Sequence, residues 1–407
     1  MTLKTGTVGN AQALRLGAAS CKLRLVESLP YYREEVRLAA EEPELSSHSL
    51  HQVVAYPHSM RAEVAGFLVR KYSKRSSIVL DPFCGSGTTG LEANMLGRVA
   101  FLSDVNPLAV AIARPKLDAA DLAEVTLGLQ AVSLRRPVEM GPYGEVFKHF
   151  FEAETFREVV NLRAVLASKE DRVSNFIRLI ALSLLHGASA GYFSVYTYPN
   201  FSSTPQQQAQ LNVQRRQVPD YRAVLPRILR KTASALRDGI PSVMRQISVQ
   251  NRVDVSDARN LSYIPSACVD LAVAAPPLPG AADAIKDQWL RLWFLGIQAQ
   301  PLAERLWQDA PVDEWLSFMN ETLTECARVV KGGGRACFVL RDTAAVKGGS
   351  EIEMRFIDMV QRELPRYWGV ECVLVNREKA SAVTGIASRR SPDAADGSDK
   401  IVVLRRQ

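Results

Sequence analysis

The sequence lacks the patterns that mark several classes of protein. Its six cysteines are scattered without a CxxC pair, so neither a disulfide framework nor a structural zinc site is predicted. No apolar run approaches the roughly 18 residues that a membrane span needs, and the first residues lack a signal-peptide layout. The five histidines show no metal-ligand spacing, and His186, inside an apolar helical pattern, is predicted to be a hydrogen-bonded core residue. These absences favour a protein of the reducing cytoplasm, with no membrane segment and no metal.

Acidic residues are the minority among the charged ones. Lys and Arg number 50 against 43 Asp and Glu, which gives a formal net charge of +7. Such an excess is compatible with a polyanionic partner but does not prove one. The length of 407 residues predicts two or three domain-sized units, or one fold with a large insertion.

Short β-rich segments alternate with helical patterns at both ends of the chain but not in its middle. "AEVAGFLVRKYS" has helical spacing, and seven strands are predicted, from "SSIVLDPF" and "RVAFLSDV" to "GVECVLVN" and "KIVVLRR". Residues 115–248 contain long helical patterns instead. We therefore predict an α/β sheet over residues 46–114 and 249–407, interrupted by a helical insertion over 115–248. Residues 1–45 are predicted to be an N-terminal extension or a peripheral helix.

The stretch "LDPFCGSGTTGLE" carries the strongest local signal. A strand is predicted to end at Asp81, a turn follows through Gly85, Ser86 and Gly87, and a helix is predicted to start near Thr88. Glycines permit positive φ and let a ligand approach the main chain. Because the carboxyl ends of parallel strands are where open α/β sheets bind ligands, the turn is a candidate binding site.

A second acid supports the same site. The next predicted strand ends at Asp104, roughly the 20-residue interval at which an acid meets ribose hydroxyls. The stretch lacks the G-x-x-x-x-G-K-[ST] of a P-loop, and an adenosyl ligand without a pyrophosphate is the favoured interpretation. The alternative is a structural β–α turn with a solvated Asp.

Taken together, these motifs resemble those of the S-adenosylmethionine-dependent DNA amino-methyltransferases, which act on cytosine N4 or adenine N6. "DPFCGSGTTGLEA" resembles their motif I, "SDVNPLA" motif II and "VSDARNL" motif III. "HQVVAYPHSMRAEVAGFLVRKYS" is similar to the segment before motif I, and "LTECARVVKGGGRACFVLRD" to the element after motif IV. The resemblance covers about residues 50–345, broken by the helical insertion. It implies a class I methyltransferase fold, a mainly parallel Rossmann-like sheet with an antiparallel final pair, and S-adenosylmethionine as cofactor.

The resemblance also implies roles for individual residues. The glycine turn and its flanks would hold the methionine and ribose part of the cofactor, Asp104 would accept from the ribose hydroxyls, and Tyr56 with Pro57 would close over the cofactor. Asp257 and the backbone near Ala258 would meet the adenine amino group. The residues implied at the turn are Asp81, Phe83, Gly85, Ser86, Gly87 and Thr88.

The stretch "VDLAVAAPPLPG" occupies the place of motif IV but departs from it. In the family, this motif has Asp, Asn or Ser, then two prolines, then an aromatic residue that stacks on a flipped base. Here the four positions are Ala275, Pro276, Pro277 and Leu278. A fixed backbone carbonyl is retained, whereas the side-chain acceptor and the aromatic ring are absent. Asp283 and Asp287 follow and could supply an acceptor, although surface acids are the simpler interpretation.

The end of the insertion is rich in basic residues that follow an aromatic loop. Such a combination is typical of phosphate contact with base stacking, and the alternative is a solvated helix beside an ordinary loop. The predicted nucleic-acid contacts are Arg215, Arg216, Arg222, Arg230, Tyr196 and Tyr198.

Three functions remain open at this point. The first is a DNA methyltransferase for an exocyclic base amine, with Pro276 as the surviving acceptor and the insertion reading the target. The second is an inactive pseudo-methyltransferase that binds cofactor, nucleic acid or a protein partner. The third is a methyltransferase for RNA or another substrate.

Overall fold

The computed structural model describes eight segments of the chain. They are residues 31–36, 48–56, 59–198, 202–279, 285–307, 310–341, 349–376 and 399–407. The predicted positions Pro57 and Asp283 lie outside these segments, and everything below refers to the described residues.

Eight strands form one sheet in the order β1-β7-β8-β6-β5-β2-β3-β4. Every neighbouring pair is parallel except the two that involve β8, which runs antiparallel to both β6 and β7. The strands are β1 (Tyr32–Val36), β2 (Ile78–Asp81), β3 (Val99–Asp104), β4 (Arg252–Val255), β5 (Val269–Ala274), β6 (Val330–Arg341), β7 (Trp368–Asn376) and β8 (Asp399–Arg406).

All seven predicted strands form, and the antiparallel placement of the last one is confirmed. The N-terminal segment was predicted to be an extension or a peripheral helix, and the part of it that is described forms a strand and not a helix. Its residues Tyr32–Val36 pair in parallel with β7 and so add a strand, β1, to the edge of the sheet. Only Val36 of this strand is buried, which is consistent with a position at the edge of the sheet.

Helices cover both faces of the sheet. Before the insertion lie α1 (Ala62–Tyr72), α2 (Thr88–Met95) and α3 (Pro107–Leu117), and after it lie α10 (Trp289–Leu295), α11 (Ala299–Ala303), α12 (Val312–Val329) and α13 (Gly349–Glu363). The insertion contributes α4 (Leu122–Gln130), α5 (Ala153–Leu166), α6 (Arg172–Leu184), α7 (Pro205–Arg215), α8 (Val224–Ala235) and α9 (Ser242–Ile247).

Two apolar cores lie on opposite sides of the sheet. One contains Leu102 of β3 together with Phe176 and Ile180 of α6, so the insertion shares its core with this face of the sheet. The other packs α12 and α13 on the opposite face, around Trp315 and Phe356. None of the described helices combines the length and apolar character that a membrane span requires.

The sheet order brings the two sequence motifs together. Strand β2 pairs in parallel with β5, at Val79–Leu271 and Leu80–Ala272. The glycine turn after β2 and the double proline after β5 therefore leave the sheet at the same edge. This edge, the carboxyl end of the parallel strands, is the binding edge of open α/β sheets.

Candidate active site

The glycine turn has the backbone conformation that its sequence predicts. Gly85 has φ +47° and Gly87 has φ +80°, and α2 begins at Thr88 immediately afterwards. A Cβ atom on Gly87 would lie 2.7 Å from the Cβ of Ala113 on α3. The turn thus requires glycine at Gly87 both for its φ and for its close packing against α3.

Two carboxylates hold this turn, that of the buried Asp81 and that of the half-buried Asp104. Asp81 accepts from the Phe83 backbone N–H at 3.0 Å, and Asp104 accepts from the Gly85 and Asn106 backbone N–H groups, both at 2.9 Å. Burial raises the pKa of Asp81 to about 7 and that of Asp104 to about 6. The proximity of the two carboxylates adds to the shift at Asp81. A cationic ligand at the turn would favour their ionised forms.

Tyr56 lies beside the turn. Its ring carbon Cε1 would be 3.5 Å from a Cβ on Gly85, and its hydroxyl accepts from Asn106 Nδ2 at 3.2 Å. Ser86, also a predicted cofactor residue, accepts from the Ser59 hydroxyl at 2.9 Å. The segment before α1 is therefore joined to the turn, in the position from which it could cover a ligand.

Sequence reasoning missed Lys116 near the end of α3. Its Nζ donates to the Ser86 carbonyl at 2.8 Å, and only 1% of the residue is exposed. Burial lowers the pKa of this lysine to about 7. The only signal in the sequence was a lysine in an otherwise apolar helical pattern, which does not indicate the carbonyl that it contacts.

Asp257, which is predicted to meet the adenine amino group, is bonded to Arg259. Asp257 Oδ1 accepts from the backbone N–H of Arg259 at 2.9 Å and from its Nε at 3.0 Å, and Oδ2 accepts from its Nη2 at 2.9 Å. Burial alone would raise the pKa of Asp257, but these hydrogen bonds outweigh it and hold the pKa below its ordinary value. Ala258 is buried.

An aromatic pair connects this corner with the glycine turn. The ring centroids of Phe83 and Phe318 are 5.9 Å apart, and the Arg259 guanidinium lies 5.4 Å from the Phe318 centroid. Phe318 on α12 belongs to no predicted motif. The two rings are tilted by 54° to each other and provide apolar contact of the kind that an adenine ring can use.

The double proline turn is rigidly attached to the second core. The Pro277 carbonyl accepts from the buried Trp315 Nε1 at 2.7 Å, and Leu278 packs against the same core. Ala275 packs against the first core instead. Within the described part of the chain, no group donates to the carbonyl of the buried Pro276. This carbonyl is thus available to a substrate donor, whereas Ala275 and Leu278 offer only apolar contact.

Of the two acids that follow the motif, only Asp287 lies in a described segment. Asp287 is half-buried, and its backbone carbonyl accepts from the Ser202 N–H at 2.7 Å. Asp283 falls in the undescribed segment 280–284.

The loop around Tyr196 contacts the basic part of the insertion, and Ser203 contacts the segment after motif IV. Gln217 Nε2 donates to the Tyr196 carbonyl at 2.9 Å, and Trp289 Nε1 donates to the Ser203 carbonyl at 2.9 Å. The Arg215 guanidinium stacks 3.7 Å from the centroid of the Tyr196 ring. A basic and aromatic surface therefore lies next to the elements that build the candidate site.

The predicted nucleic-acid residues do not all lie on this surface. Arg215, Arg216, Arg230 and Tyr198 are exposed, and Tyr196 is half-buried. Arg222 is the exception, because it is buried, pairs with Asp220 and donates to the Ser194 carbonyl. Its prediction as a phosphate contact is wrong, since its donors are used to hold the loop.

Metal ligands are not grouped in the described segments, where no cluster of three or more His, Cys, Asp or Glu side chains could hold an ion. His186 is buried, as predicted, but neither of its ring nitrogens forms a hydrogen bond of ordinary geometry. Burial, and then the nearby charge of Arg291, lower its pKa to about 3, so the imidazole is neutral at physiological pH.

The solved structures that match this chain include methyltransferases, and their sequence identities and TM-scores are low. TrmN from Thermus thermophilus is 13% identical with a TM-score of 0.36, and the match covers 88% of this chain and 52% of that one. An rRNA methylase from Streptococcus thermophilus is 8% identical with a TM-score of 0.31, covering 85% and 97%. The rRNA methyltransferase aviRa from Streptomyces viridochromogenes is 12% identical with a TM-score of 0.31, covering 88% and 90%.

This chain spans about half the length of TrmN. Similarity at this level supports no functional inference, and the strand order of the sheet carries the fold assignment. No curated protein matches the chain.

A family model matches the segment that contains the glycine turn. It is described as a DNA methylase of the N6/N4 methyltransferase type, and it matches residues 37–115, from before Tyr56 to the end of the Asp104 region. The positive-φ glycines of this segment, the acids Asp81 and Asp104, and the tyrosine beside the turn fit an adenosyl cofactor. Residues 37–115 are therefore similar to DNA methylases of the N6/N4 methyltransferase type, and this match supports S-adenosylmethionine as the cofactor.

Proposed function

We propose that this protein transfers a methyl group from S-adenosylmethionine to an exocyclic amino group of a base in DNA, either cytosine N4 or adenine N6. The observation that carries the proposal is the pairing of β2 with β5, since it puts the glycine turn beside the Pro276–Pro277 turn. The family match over residues 37–115 supports DNA as the substrate, as do the exposed arginines of the insertion.

The cofactor residues have separate tasks in this proposal. Asp104 and the turn through Gly85 and Gly87 hold the ribose and methionine part, while Phe83 and Phe318 border the adenine. Tyr56 covers the turn and excludes water. When bound, the cofactor supplies an electrophilic methyl group on a positively charged sulfur.

Substrate activation depends on the backbone after β5. The lone pair of an exocyclic amine is delocalised into the base, so an acceptor for its N–H group makes the nitrogen a better nucleophile. The Pro276 carbonyl is that acceptor, held in place because the next carbonyl, that of Pro277, is bonded to Trp315. On methylation the amine would release one proton to solvent, while the Pro276 carbonyl accepts from its other N–H group.

A pseudo-methyltransferase is the second candidate, and the side chains of motif IV favour it. A positioned electrostatic group typically contributes about 10²–10³ in rate, and base stacking about 1–3 kcal/mol. Ala275 and Leu278 supply neither and pack into the two cores instead. On this view the chain binds cofactor and nucleic acid without turnover.

Transfer of a tritiated methyl group distinguishes the two candidates. The natural chain and the double variant Ala275→Ser with Leu278→Tyr are each incubated with labelled cofactor and mixed duplex DNA, with structured RNA as a parallel substrate. We expect label in DNA from the natural chain and faster labelling by the double variant. Labelling by the double variant alone identifies a pseudoenzyme, and labelling of RNA alone identifies an RNA methyltransferase.

A further inference from the structure

Arg291 is a buried cation without an anionic partner among the described residues. It lies on α10, shortly after motif IV, and is 2% exposed. Burial lowers its pKa to about 10, and the electrostatic neighbours that partly oppose this effect are the hydroxyls of Tyr192 and Tyr56 rather than carboxylates. Since a buried charge is costly unless it is paired, this arrangement calls for a partner that the described chain does not supply.

Three of the five N–H groups of Arg291 are bound to protein oxygens. Nε donates to the Leu182 carbonyl at 3.2 Å, and Nη1 donates to the Ala55 carbonyl at 2.8 Å and to Gln288 Oε1 at 2.5 Å. Within the described segments, nothing accepts from Nη2, which carries the two remaining N–H groups. The guanidinium is thus held in place by three elements, with its Nη2 edge available.

The bonds of Arg291 connect it with the cofactor turn. Ala55, whose carbonyl it binds, directly precedes Tyr56, and the Tyr56 ring faces Gly85 at the distance given above. His186, which also lies beside Arg291, is neutral, so Arg291 is the charged member of this pair. A duplex phosphate is a poor partner for so deeply buried a side chain, whereas a small carboxylate that enters beneath Tyr56 is a good one.

We propose that Arg291 binds the carboxylate of the methionine moiety of the cofactor through its free Nη2 edge. The guanidinium is held ready by the Leu182, Ala55 and Gln288 oxygens, so little side-chain freedom is lost on binding. The inference deepens the proposed function and rests on it only through the cofactor, because it requires no particular methyl acceptor.

The test compares S-adenosylmethionine with its decarboxylated analogue, S-adenosylmethioninamine, by titration calorimetry. A hydrogen-bonded charge pair of this kind predicts that the natural chain binds the complete cofactor about 10- to 100-fold more tightly than the analogue. In Arg291→Gln this preference is expected to disappear, and in Arg291→Lys to shrink, because an ammonium keeps the charge but not the planar fork.

Arg222→Gln is the matched control. Arg222 is another buried arginine that binds backbone carbonyls, but it has Asp220 as its anionic partner. Its variant is expected to keep the natural preference for the complete cofactor. An equal loss in Arg222→Gln would mean that the effect comes from a general disturbance of the insertion.

Several results would overturn the inference. A natural chain that does not distinguish the two ligands contradicts it even if Arg291→Gln fails to fold. An unchanged preference in Arg291→Gln, with weaker binding of duplex DNA, would assign Arg291 to a phosphate instead. If Arg291 is needed to distinguish the cofactor from its analogue but no DNA is methylated, the inference stands and the proposed function fails. If the chain binds no cofactor, both fail.

Discussion

At the scale of single residues, the candidate site depends on positions that require one type of amino acid. The sequence predicted Gly85 and Gly87 as turn residues, and their positive φ confirms it. It also predicted Asp104 beside the turn, where it binds the Gly85 N–H. Lys116 and Arg291 could not be predicted, because their partners are backbone carbonyls that come close only through tertiary packing.

Gly87→Ala is expected to weaken both folding and cofactor binding. The new Cβ would meet Ala113 at 2.7 Å in a residue with φ +80°, so the turn or α3 must shift. We expect a loss of about 1–3 kcal/mol in the free energy of unfolding, measured by urea denaturation. Gly144→Ala, where a Cβ meets nothing within 4 Å, is the control. Equal stability of the two variants would contradict the packing argument.

Cofactor affinity is expected to rise with pH between about 5 and 7. Burial raises the pKa of Asp81 to about 7 in the free protein, so lowering the pH protonates the carboxylate that favours a cationic ligand. Binding therefore releases a proton in this window, which calorimetry in two buffers of different ionisation enthalpy detects. Asp81→Asn should reduce both the pH dependence and the proton release. A natural chain with constant affinity over this range would contradict the role of Asp81.

At the scale of secondary-structure elements, the periodicity of the sequence predicted helices and strands better than it predicted the contacts of individual side chains. The spacing of Val64, Phe67 and Leu68 predicted α1, and all three are buried. The alternation of strands and helices predicted seven strands of the sheet. Strand β1 escaped prediction because its pairing with β7 joins residues that are some 340 positions apart, and "YREEV" by itself has no apolar alternation.

Helix α3 is expected to support the glycine turn through Lys116. Lys116→Met removes the donor to the Ser86 carbonyl, so we expect weaker cofactor binding in calorimetry, by about 10-fold. Lys148→Met, at an exposed lysine, should bind as the natural chain does. Unchanged affinity in Lys116→Met would show that the turn holds its shape without this bond.

The same lysine predicts a pH dependence of stability. Its pKa falls from 10.5 in the unfolded chain to about 7 in the folded one, so the folded state binds fewer protons between these values. The burial penalty is present in full below pH 7 and declines as the pH rises towards 10.5. The contribution of Lys116 to the free energy of unfolding therefore increases over this range, and Lys116→Met should remove that increase.

The helical insertion is expected to provide the contact with nucleic acid. Arg215→Gln combined with Arg230→Gln should weaken duplex binding and lower the slope of log K against log salt by about 0.9 for each phosphate that is no longer neutralised. Arg362→Gln, at an arginine that is 76% exposed on α13 beyond the opposite face of the sheet, is the control. A similar slope in all three proteins would place the binding surface elsewhere.

At the scale of the whole molecule, the fold is a sheet with helices on both faces. Its binding edge combines two motifs, and only one of them has the polar side chains that its role requires. On the predicted cofactor side, the glycine turn is present together with the two acids that accept from its backbone N–H groups. The substrate half keeps the geometry of Pro276 and Pro277 but has apolar side chains on both sides. The sequence predicted this contrast, and the structure adds the Trp315 bond that fixes the proline turn.

The boundaries of the insertion at 115–248 stay a prediction. Helix α3 crosses the first of them, since it ends at Leu117, and α6 packs into the same core as β3. A boundary drawn from the change in sequence pattern cannot recognise such packing, because an amphipathic helix has the same periodicity whether it covers its own domain or its neighbour.

Identification of the methylated nucleoside tests the central claim most directly. The natural chain is incubated with S-adenosylmethionine and unmodified duplex DNA, and the DNA is then digested to nucleosides and analysed by mass spectrometry. We predict N4-methylcytosine or N6-methyladenine that is absent without cofactor and reduced in Gly87→Ala. Unmodified DNA from a chain that binds both the cofactor and the duplex would contradict the claim.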